Sequence, residues 1–204
     1  MVNKLRILSF LAIVAIFILS GQAAASAEDV NVSLEGNVIT IRGHILEETR
    51  AEVIKNIFQL LGDEKAAIIE IRLASSGGNV EDSLEICNAM HYAQKFKTVR
   101  TVAIGNAESC AAIILSAGTK GERYVGKYSC VMIHSMQMSA SNAILDPKKV
   151  KEIMERYDKE ALAYYFAMAE NAGKSVEQIK EDCYNEKWMT SKEAIAYGLA
   201  DKVW

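Results

Sequence analysis

The sequence is poor in proline and histidine and has no large excess of charge of either sign. Its 204 residues include 1 proline, and it contains neither internal repeats nor low-complexity tracts, so nothing in it resembles a linker between domains. Lysine and arginine total 23 against 26 acidic residues, for a net charge of −3. That balance gives no electrostatic basis for binding nucleic acid.

The residues that are present suffice for one folded domain. Half of them are hydrophobic, enough for the core of a single α/β domain. A buried strand is predicted over 67–73, a helix from Val80 to Met90, and another strand over 99–104. Strand, helix and strand in this order predict right-handed βαβ units on a largely parallel sheet.

Turn and cap residues predict the remaining elements. Alternating apolar residues over 30–46 predict a β-hairpin, and the helical spacing over 48–61 predicts a helix. Asp146-Pro147 is typical of a helix start, and the amphipathic pattern continues to about Gly173. Capping boxes that begin at Ser175 and Thr190 predict two further helices.

Residues 1–27 differ from the rest of the chain. Two basic residues precede a nearly unbroken apolar run over 7–20, and Ala25-Ser26-Ala27 forms an A-x-A site. This order predicts a secretory signal peptide cleaved after Ala27, which makes 28–204 the mature domain and the protein periplasmic or secreted. A retained membrane anchor is the weaker alternative because a membrane span needs about 20 apolar residues.

Export would place the four cysteines in an oxidising compartment. They could form two disulfides in three different pairings. We expect Cys110 and Cys130 to be small buried residues inside a core helix and a core strand. For Cys87 and Cys183 the sequence does not decide between a disulfide and a buried thiol.

The stretch from Gly105 to His134 holds the candidate chemistry. Ser109 follows a strand and leads an apolar helix over 111–117, where free N–H groups of the first turn face developing negative charge. A plain helix cap is the alternative interpretation of this serine. His134 ends a buried strand, so its ring needs a partner, and Ser109 is the natural one. The other two histidines, His44 and His91, are expected to face solvent.

These residues resemble the proteolytic subunit of the Clp protease family. The similarity spans roughly 41–203, in order and with plausible spacing. Its G-x-A-x-S and M-I-H motifs match Gly105-Asn106-Ala107-Glu108-Ser109 and Met132-Ile133-His134, and its S-P-G-G loop is modified to Ser75-Ser76-Gly77-Gly78. Its A-G-x-K-G-x-R and L-S-x-x-E-A-x-x-Y-G-L-x-D motifs match the stretches 117–123 and 189–201.

The resemblance implies a crotonase-like α/β fold, a spiral of ββα units. The parts would be a core over 28–145, a handle helix at about 147–171 that joins two rings, and C-terminal helices over 175–204. It also implies a homo-oligomeric ring that cleaves peptides or unfolded proteins, with no cofactor and no metal.

The same resemblance implies a serine endopeptidase and assigns roles to its residues. Ser109 would be the nucleophile, His134 the base, and the N–H groups of Gly78 and Cys110 the oxyanion hole. The family's aspartate, the third member of the triad, is replaced by Glu186, which can orient a histidine. Asp182 and Asn185 are the alternatives for that role, and Glu186 as a solvated surface charge is a further one.

Further departures from the family concern the loops and the partners. Ser76 replaces the proline of the glycine loop, which relaxes its φ restriction, and Ser135-Met136 replaces Q-P at the substrate-binding edge. The mature chain leaves little room for the family's N-terminal axial loop, which meets an unfoldase ATPase. We therefore expect no ATPase partner and ATP-independent action in the cell envelope, and we leave an inner-membrane partner open.

Three other functions compete with this hypothesis. Signal peptide peptidase A and its relatives share the fold but use a serine–lysine dyad; the lysines near the site, Lys120 and Lys127, are expected in exposed turns. An acyl-CoA enzyme of the crotonase type would not need Ser109 with His134. A catalytically inactive scaffold is the serious rival because of Glu186.

Overall fold

The computed structural model describes residues 31–137 and 147–204. The predicted signal peptide and the predicted cap Asp146 lie outside these residues. The strands are β1 (Asn31–Glu35), β2 (Val38–Ile45), β3 (Ile68–Gly78), β4 (Thr98–Glu108), β5 (Arg123–Val125), β6 (Cys130–Ile133), β7 (Lys187–Thr190) and β8 (Lys202–Val203). The helices are α1 (Glu47–Gly62), α2 (Val80–Ala93), α3 (Cys110–Ser116), α4 (Pro147–Ala172), α5 (Val176–Tyr184) and α6 (Ser191–Tyr197).

The described strands form one mixed sheet. Its order is β1-β2-β3-β4-β5-β8, and β6 joins beside β4 and pairs with β7. Every pair from β2 to β8 along this path is parallel, as is β4 with β6, whereas β1 with β2 and β6 with β7 are antiparallel. The prediction of an α/β domain with a largely parallel sheet is confirmed. Within the described ranges, none of the helices is both long and apolar enough to span a bilayer.

The strands that lead to the site are longer than the sequence predicts. The hairpin and the helix after it are confirmed, with Glu35 opposite Val38 and α1 at Glu47–Gly62. However, the predicted loop over 75–78 is the extended end of β3, and β4 continues past Gly105 to Glu108. The sequence prediction also missed the short strands β7 and β8. Glycine is typical of turns, but here Gly77 combines a φ of +94° with close contact to neighbouring backbone, which a residue with a Cβ atom could not accept.

The predicted caps are present with one exception. Asn79 accepts a hydrogen bond from the N–H of Asp82 at the start of α2, and the box between Thr190 and Glu193 is complete. Ser175 caps α5, but the side chain of Gln178 donates to Asp182 instead of returning to the cap. The predicted box at Ser175 is therefore only half formed.

A buried arginine joins three distant segments. Arg123 is 2% exposed and donates to both carboxylate oxygens of Asp201, at 2.6 and 2.8 Å. Its remaining N–H groups reach the carbonyl oxygens of Ser116 at 3.2 Å and Asn171 at 3.0 Å. Arg123 thus ties the C-terminal ends of α3 and α4 to Asp201, which lies just before β8.

Candidate active site

Ser109 lies at the sharp turn between β4 and α3. Its backbone has φ 53° and ψ −121°, a positive φ that is unusual outside glycine and typically costs about 1–3 kcal/mol. The N–H of Ser109 donates to the carbonyl of Met132 at 2.8 Å, which ties the turn to β6. Its hydroxyl makes no cap bond to the helix. The helix-cap interpretation of this serine is therefore wrong, because the side chain points elsewhere.

The hydroxyl of Ser109 meets the ring of His134. The distance from Ser109 Oγ to His134 Nε2 is 2.8 Å. This proximity follows from the sheet: β6 lies parallel to β4 with Glu108 opposite Met132, so the residues after both strands share one edge. The structure thus brings together two residues that lie twenty-five positions apart in the sequence.

A buried tyrosine from α4 supports the histidine from behind. Tyr164 is 1% exposed, and its hydroxyl donates to the carbonyl oxygen of His134 at 3.3 Å. Burial raises the pKa of Tyr164 well above its ordinary value, so the phenol keeps its proton and stays a donor. The amphipathic pattern that continues to about Gly173 is consistent with a buried Tyr164, but it does not predict this contact.

The end of β3 runs directly beneath the nucleophile. A Cβ atom at Gly77 would lie 2.8 Å from Ser109 Cβ and 2.9 Å from the N atom of Cys110, and one at Gly78 would lie 2.1 Å from the carbonyl oxygen of Ile45. The N–H of Asn79 donates to that same oxygen at 2.8 Å, so the end of β3 is held against β2 at this point.

The amides of Gly78 and Cys110 belong to the two segments that meet at Ser109. The N–H of Cys110 belongs to the first turn of α3 and has no partner within the helix, and Gly78 ends β3 close to Cys110. Burial raises the pKa of the Cys110 thiol, which keeps its proton and donates to the carbonyl of Gly78 at 3.3 Å. This arrangement is suited to binding a developing oxyanion.

The loss of the family's proline is offset by a hydrogen bond in the strand. Ser76, which stands in its place, is exposed, but the hydroxyl of the neighbouring Ser75 is buried and accepts from the N–H of Gly77 at 3.1 Å. Side-chain to backbone bonds of this kind restrict a segment without a fixed φ. This hydrogen bond therefore restricts the backbone on both sides of Ser76, where the loss of proline was expected to loosen it.

A cleft of about 490 Å³ opens beside the Ser109–His134 pair. It is lined by residues of β2, β3, α2, α3 and α4 and of the segments that follow β3, β4 and β6, namely His44, Ser76, Gly78, Asn79, Val80, Ser109, Cys110, His134, Met136, Gln137, Glu160 and Tyr164. His44 and His91 are both exposed, as expected. No sequence pattern indicated that His44 or Glu160 would reach this cleft, because His44 reaches it through the pairing of β2 with β3 and Glu160 through the docking of α4.

The acidic candidates make other contacts. The pairing of Ile133 with Lys187 puts Glu186 at the next position, opposite His134. The Glu186 carboxylate nevertheless accepts from the indole N–H of Trp188 at 2.9 Å, and its backbone has a positive φ of 49°. Among the described residues, no carboxylate forms an ion pair or hydrogen bond with the His134 ring.

The two alternatives for the third role are also occupied. Asp182 accepts from Lys187 and from Tyr197, each at 2.7 Å, and from Gln178 at 3.1 Å. Burial acts to raise the pKa of Asp182, but these bonds hold it below its ordinary value. Asn185 donates to the carbonyl of Glu181. Neither side chain bonds to His134, so the structure joins two of the three predicted catalytic residues.

All four cysteines are free thiols. Cys87, Cys110 and Cys183 are buried, and burial raises the pKa of Cys87 and of Cys183 to about 12. Cys130 is only partly buried, contrary to the expectation of a core position, because it begins the short strand β6. Protonated buried thiols are poor nucleophiles, so they do not compete with Ser109.

The lysines of the competing dyad hypothesis lie elsewhere. Lys120 is exposed and donates to the carbonyl of Asn171 at 2.9 Å. Lys127 is also exposed and lies over the Tyr128 ring. In the part of the chain that the structure describes, no cluster of three or more His, Cys, Asp or Glu side chains could hold a metal ion.

Comparison with known proteins gives a consistent family. The sequence model of the family described as Clp protease matches residues 21–204. Two curated relatives are each named ATP-dependent Clp protease proteolytic subunit 2, from Chlamydia trachomatis serovars D and A. Each is 32% identical over 181 residues, a match that covers 83% of this chain and 81% of the relative.

Proposed function

The chain belongs to the Clp protease family of serine peptidases, and on that premise we propose that it is an endopeptidase that cleaves peptides or unfolded polypeptides through Ser109 and His134. Its mixed α/β architecture fits the crotonase-like fold. Members of the family form oligomeric rings and act on peptide or protein substrates. The observation that carries the proposal is the 2.8 Å contact between Ser109 Oγ and His134 Nε2 at a strained strand-to-helix turn.

The proposed reaction begins with acylation of Ser109. His134 Nε2 accepts the hydroxyl proton as Oγ attacks the scissile carbonyl carbon. The carbonyl oxygen becomes an oxyanion that the N–H groups of Gly78 and Cys110 bind. His134 then gives its proton to the leaving amine, the C–N bond breaks, and an acyl-enzyme is left. Water, deprotonated by the same ring, releases the second product and restores Ser109.

The third catalytic role stays a prediction. Glu186 has the right place in the β6–β7 register, but its carboxylate bonds to the Trp188 indole and not to His134. We propose a working Ser–His dyad in which the carbonyl of His134, bonded to Tyr164, helps to fix the base. An acid that orients the ring would add to this arrangement.

We further propose ATP-independent action in the cell envelope. The support is the basic, apolar and A-x-A order of residues 1–27, which is typical of exported proteins. The two relatives carry the word ATP-dependent in their names. An assay of the purified protein without ATP therefore tests whether this chain differs from them. Ring assembly is supported by large apolar side chains on α4 that are 41–55% exposed, namely Val150, Met154, Leu162 and Phe166.

Peptide cleavage by the purified protein tests this function. Internally quenched peptides and a permanently unfolded protein are incubated with the enzyme, without ATP and without any ATPase. We expect cleavage of both, with products identified by mass spectrometry, and none with Ser109→Ala. A folded protein that cleaves neither would instead be the inactive scaffold.

Fractionation and N-terminal sequencing test the location. We expect the protein in the envelope or the medium, starting at Glu28. A cytoplasmic protein that keeps residues 1–27 would overturn this part of the proposal and leave the peptidase assignment intact.

A further inference from the structure

The cleft beside Ser109 contains a single side chain with a fixed charge among its described lining residues. That residue is Glu160, and the described part of the lining includes neither lysine nor arginine. The Glu160 side chain is 30% exposed, so its carboxylate is partly withdrawn from water. Electrostatic interactions at such a site are stronger than at a fully exposed one.

Packing of α4 fixes the position of this carboxylate. Glu160 lies one helical turn before Tyr164, and residues at this spacing share one face of a helix. Tyr164 is buried and bonded to the carbonyl of His134. The same face that anchors the helix behind the catalytic base therefore carries Glu160 into the cleft.

The present partner of Glu160 is replaceable. Arg156 Nε lies 3.3 Å from a Glu160 oxygen, in a pair one turn apart on the helix. The Arg156 side chain is 76% exposed, and such surface pairs contribute little stability. A cationic side chain of a bound peptide can take the place of Arg156 at small cost.

We propose that Glu160 selects substrates that carry lysine or arginine close to the scissile bond. The inference rests on the proposed peptidase function and adds the substrate class to it. A peptide bound with its carbonyl at Ser109 extends along the cleft, and a neutral or acidic residue placed beside Glu160 would leave that carboxylate with a poorer partner or a like charge. Specificity then comes from the difference in binding free energy between peptides with a basic residue beside Glu160 and peptides with a neutral or acidic one.

Peptides that differ at one position test the proposal. In a set of internally quenched peptides, each residue around the cleaved bond is varied in turn among lysine, arginine, glutamine and glutamate. We expect kcat/KM to be roughly fivefold to tenfold higher for the basic residues than for glutamine at one position. Glu160→Gln should remove this preference, and Arg156→Gln should increase it.

A matched control comes from the same helix. Glu155 pairs with Lys151 at the same spacing, with atoms 3.7 Å apart, and does not line the cleft. Glu155→Gln should leave the preference of the wild-type protein unchanged. A change as large as that of Glu160→Gln would indicate a general field effect and overturn the proposal.

Labelling of Ser109 by a fluorophosphonate tests the peptidase function separately from the preference for basic residues. Labelled enzyme without a basic preference, or with one that survives Glu160→Gln, contradicts the specificity and leaves the peptidase function standing. Absence of labelling in the folded protein overturns the peptidase function, and the specificity with it.

Discussion

The two ends of α3 differ in how their polar groups are used. At its N-terminus, Ser109 is held at a positive φ and the N–H of Cys110 has no partner within the helix. At its C-terminus, the carbonyl of Ser116 accepts from the buried Arg123 and its hydroxyl accepts from Asn171 at 3.1 Å. We call the N-terminal end, with its strained residue beside the cleft, the open end of α3. We call the C-terminal end, with its polar groups paired inside the protein, the closed end.

This difference indicates a division of labour within seven residues. A strained residue persists only where its surroundings over-determine it. The bond from the Ser109 N–H to the carbonyl of Met132 and the buried packing of α3 supply that constraint locally. We therefore expect changes at the N-terminal end to affect the rate of catalysis, and changes at the C-terminal end to affect the free energy of unfolding.

The largest expected effect is on catalysis at the open end. Ser109→Ala or His134→Ala should lower kcat by roughly 10⁴ to 10⁶, because each removes a group that forms or breaks a bond. Peptide cleavage measures the loss, and thermal melting should show an unchanged or slightly higher Tm, since Ala at 109 loses no cap bond. A melting temperature that falls with activity would make Ser109 structural.

The closed end should respond in the free energy of unfolding. Asp201→Ala leaves the Arg123 guanidinium buried without its carboxylate, so we expect a loss of about 3 kcal/mol. Urea unfolding measures it, with Glu52→Ala as the control because Glu52 forms an exposed pair with Lys55. Activity of the protein that stays folded should change less than tenfold. A fall in kcat like that of Ser109→Ala would contradict the division of labour.

The sequence predicted the open end better than the closed one. Ser109 and His134 stand at ends of neighbouring strands, so motif and periodicity sufficed to place them. The Arg123–Asp201 pair joins residues far apart in sequence, and Glu160 reaches the cleft through the docking of α4; neither follows from local pattern. Whether the Glu186 carboxylate bonds to Trp188 or to His134 depends on its side-chain rotamer, which no sequence pattern specifies.

A change in the oxyanion hole should be intermediate in size. The Cβ atom of Gly78→Ala would meet the carbonyl of Ile45, so the strand must shift and its N–H moves away from Ser109. We expect kcat to fall by about 10² to 10³, measured with the same peptides. Gly62→Ala is the matched control, since a Cβ there meets nothing within 4 Å. Equal rates for Gly78→Ala and the wild type would remove Gly78 from the mechanism.

The closed end should also be sensitive to acid. Burial acts to raise the pKa of Asp201, but the bonds and charge of Arg123 hold it below its ordinary value. A carboxyl with a lowered pKa stabilises the folded state above the ordinary aspartate range, about pH 4, and this contribution is lost as pH falls through the lower, folded-state pKa. Urea unfolding of wild type and Asp201→Asn should therefore differ by a constant amount above pH 5 and converge in stronger acid. A constant difference down to the lowest pH would contradict this.

The smallest effect is expected at Glu186. Because its carboxylate bonds to Trp188, Glu186→Gln should lower kcat/KM less than tenfold. Loss of an acid that orients the histidine of a triad costs about 10⁴. A loss of about 10³ or more would therefore show that Glu186 turns to His134 in the working enzyme and would replace the dyad with a triad.

Reaction with a fluorophosphonate is the sharpest test of the Ser109–His134 pair, because it requires an activated serine and no knowledge of the substrate. We expect the folded protein to be labelled on Ser109, Ser109→Ala to remain unlabelled, and His134→Ala to be labelled far more slowly. Labelling that is unaffected by His134→Ala, or none in the folded wild-type protein, would contradict the assignment of Ser109 and His134 as a catalytic pair.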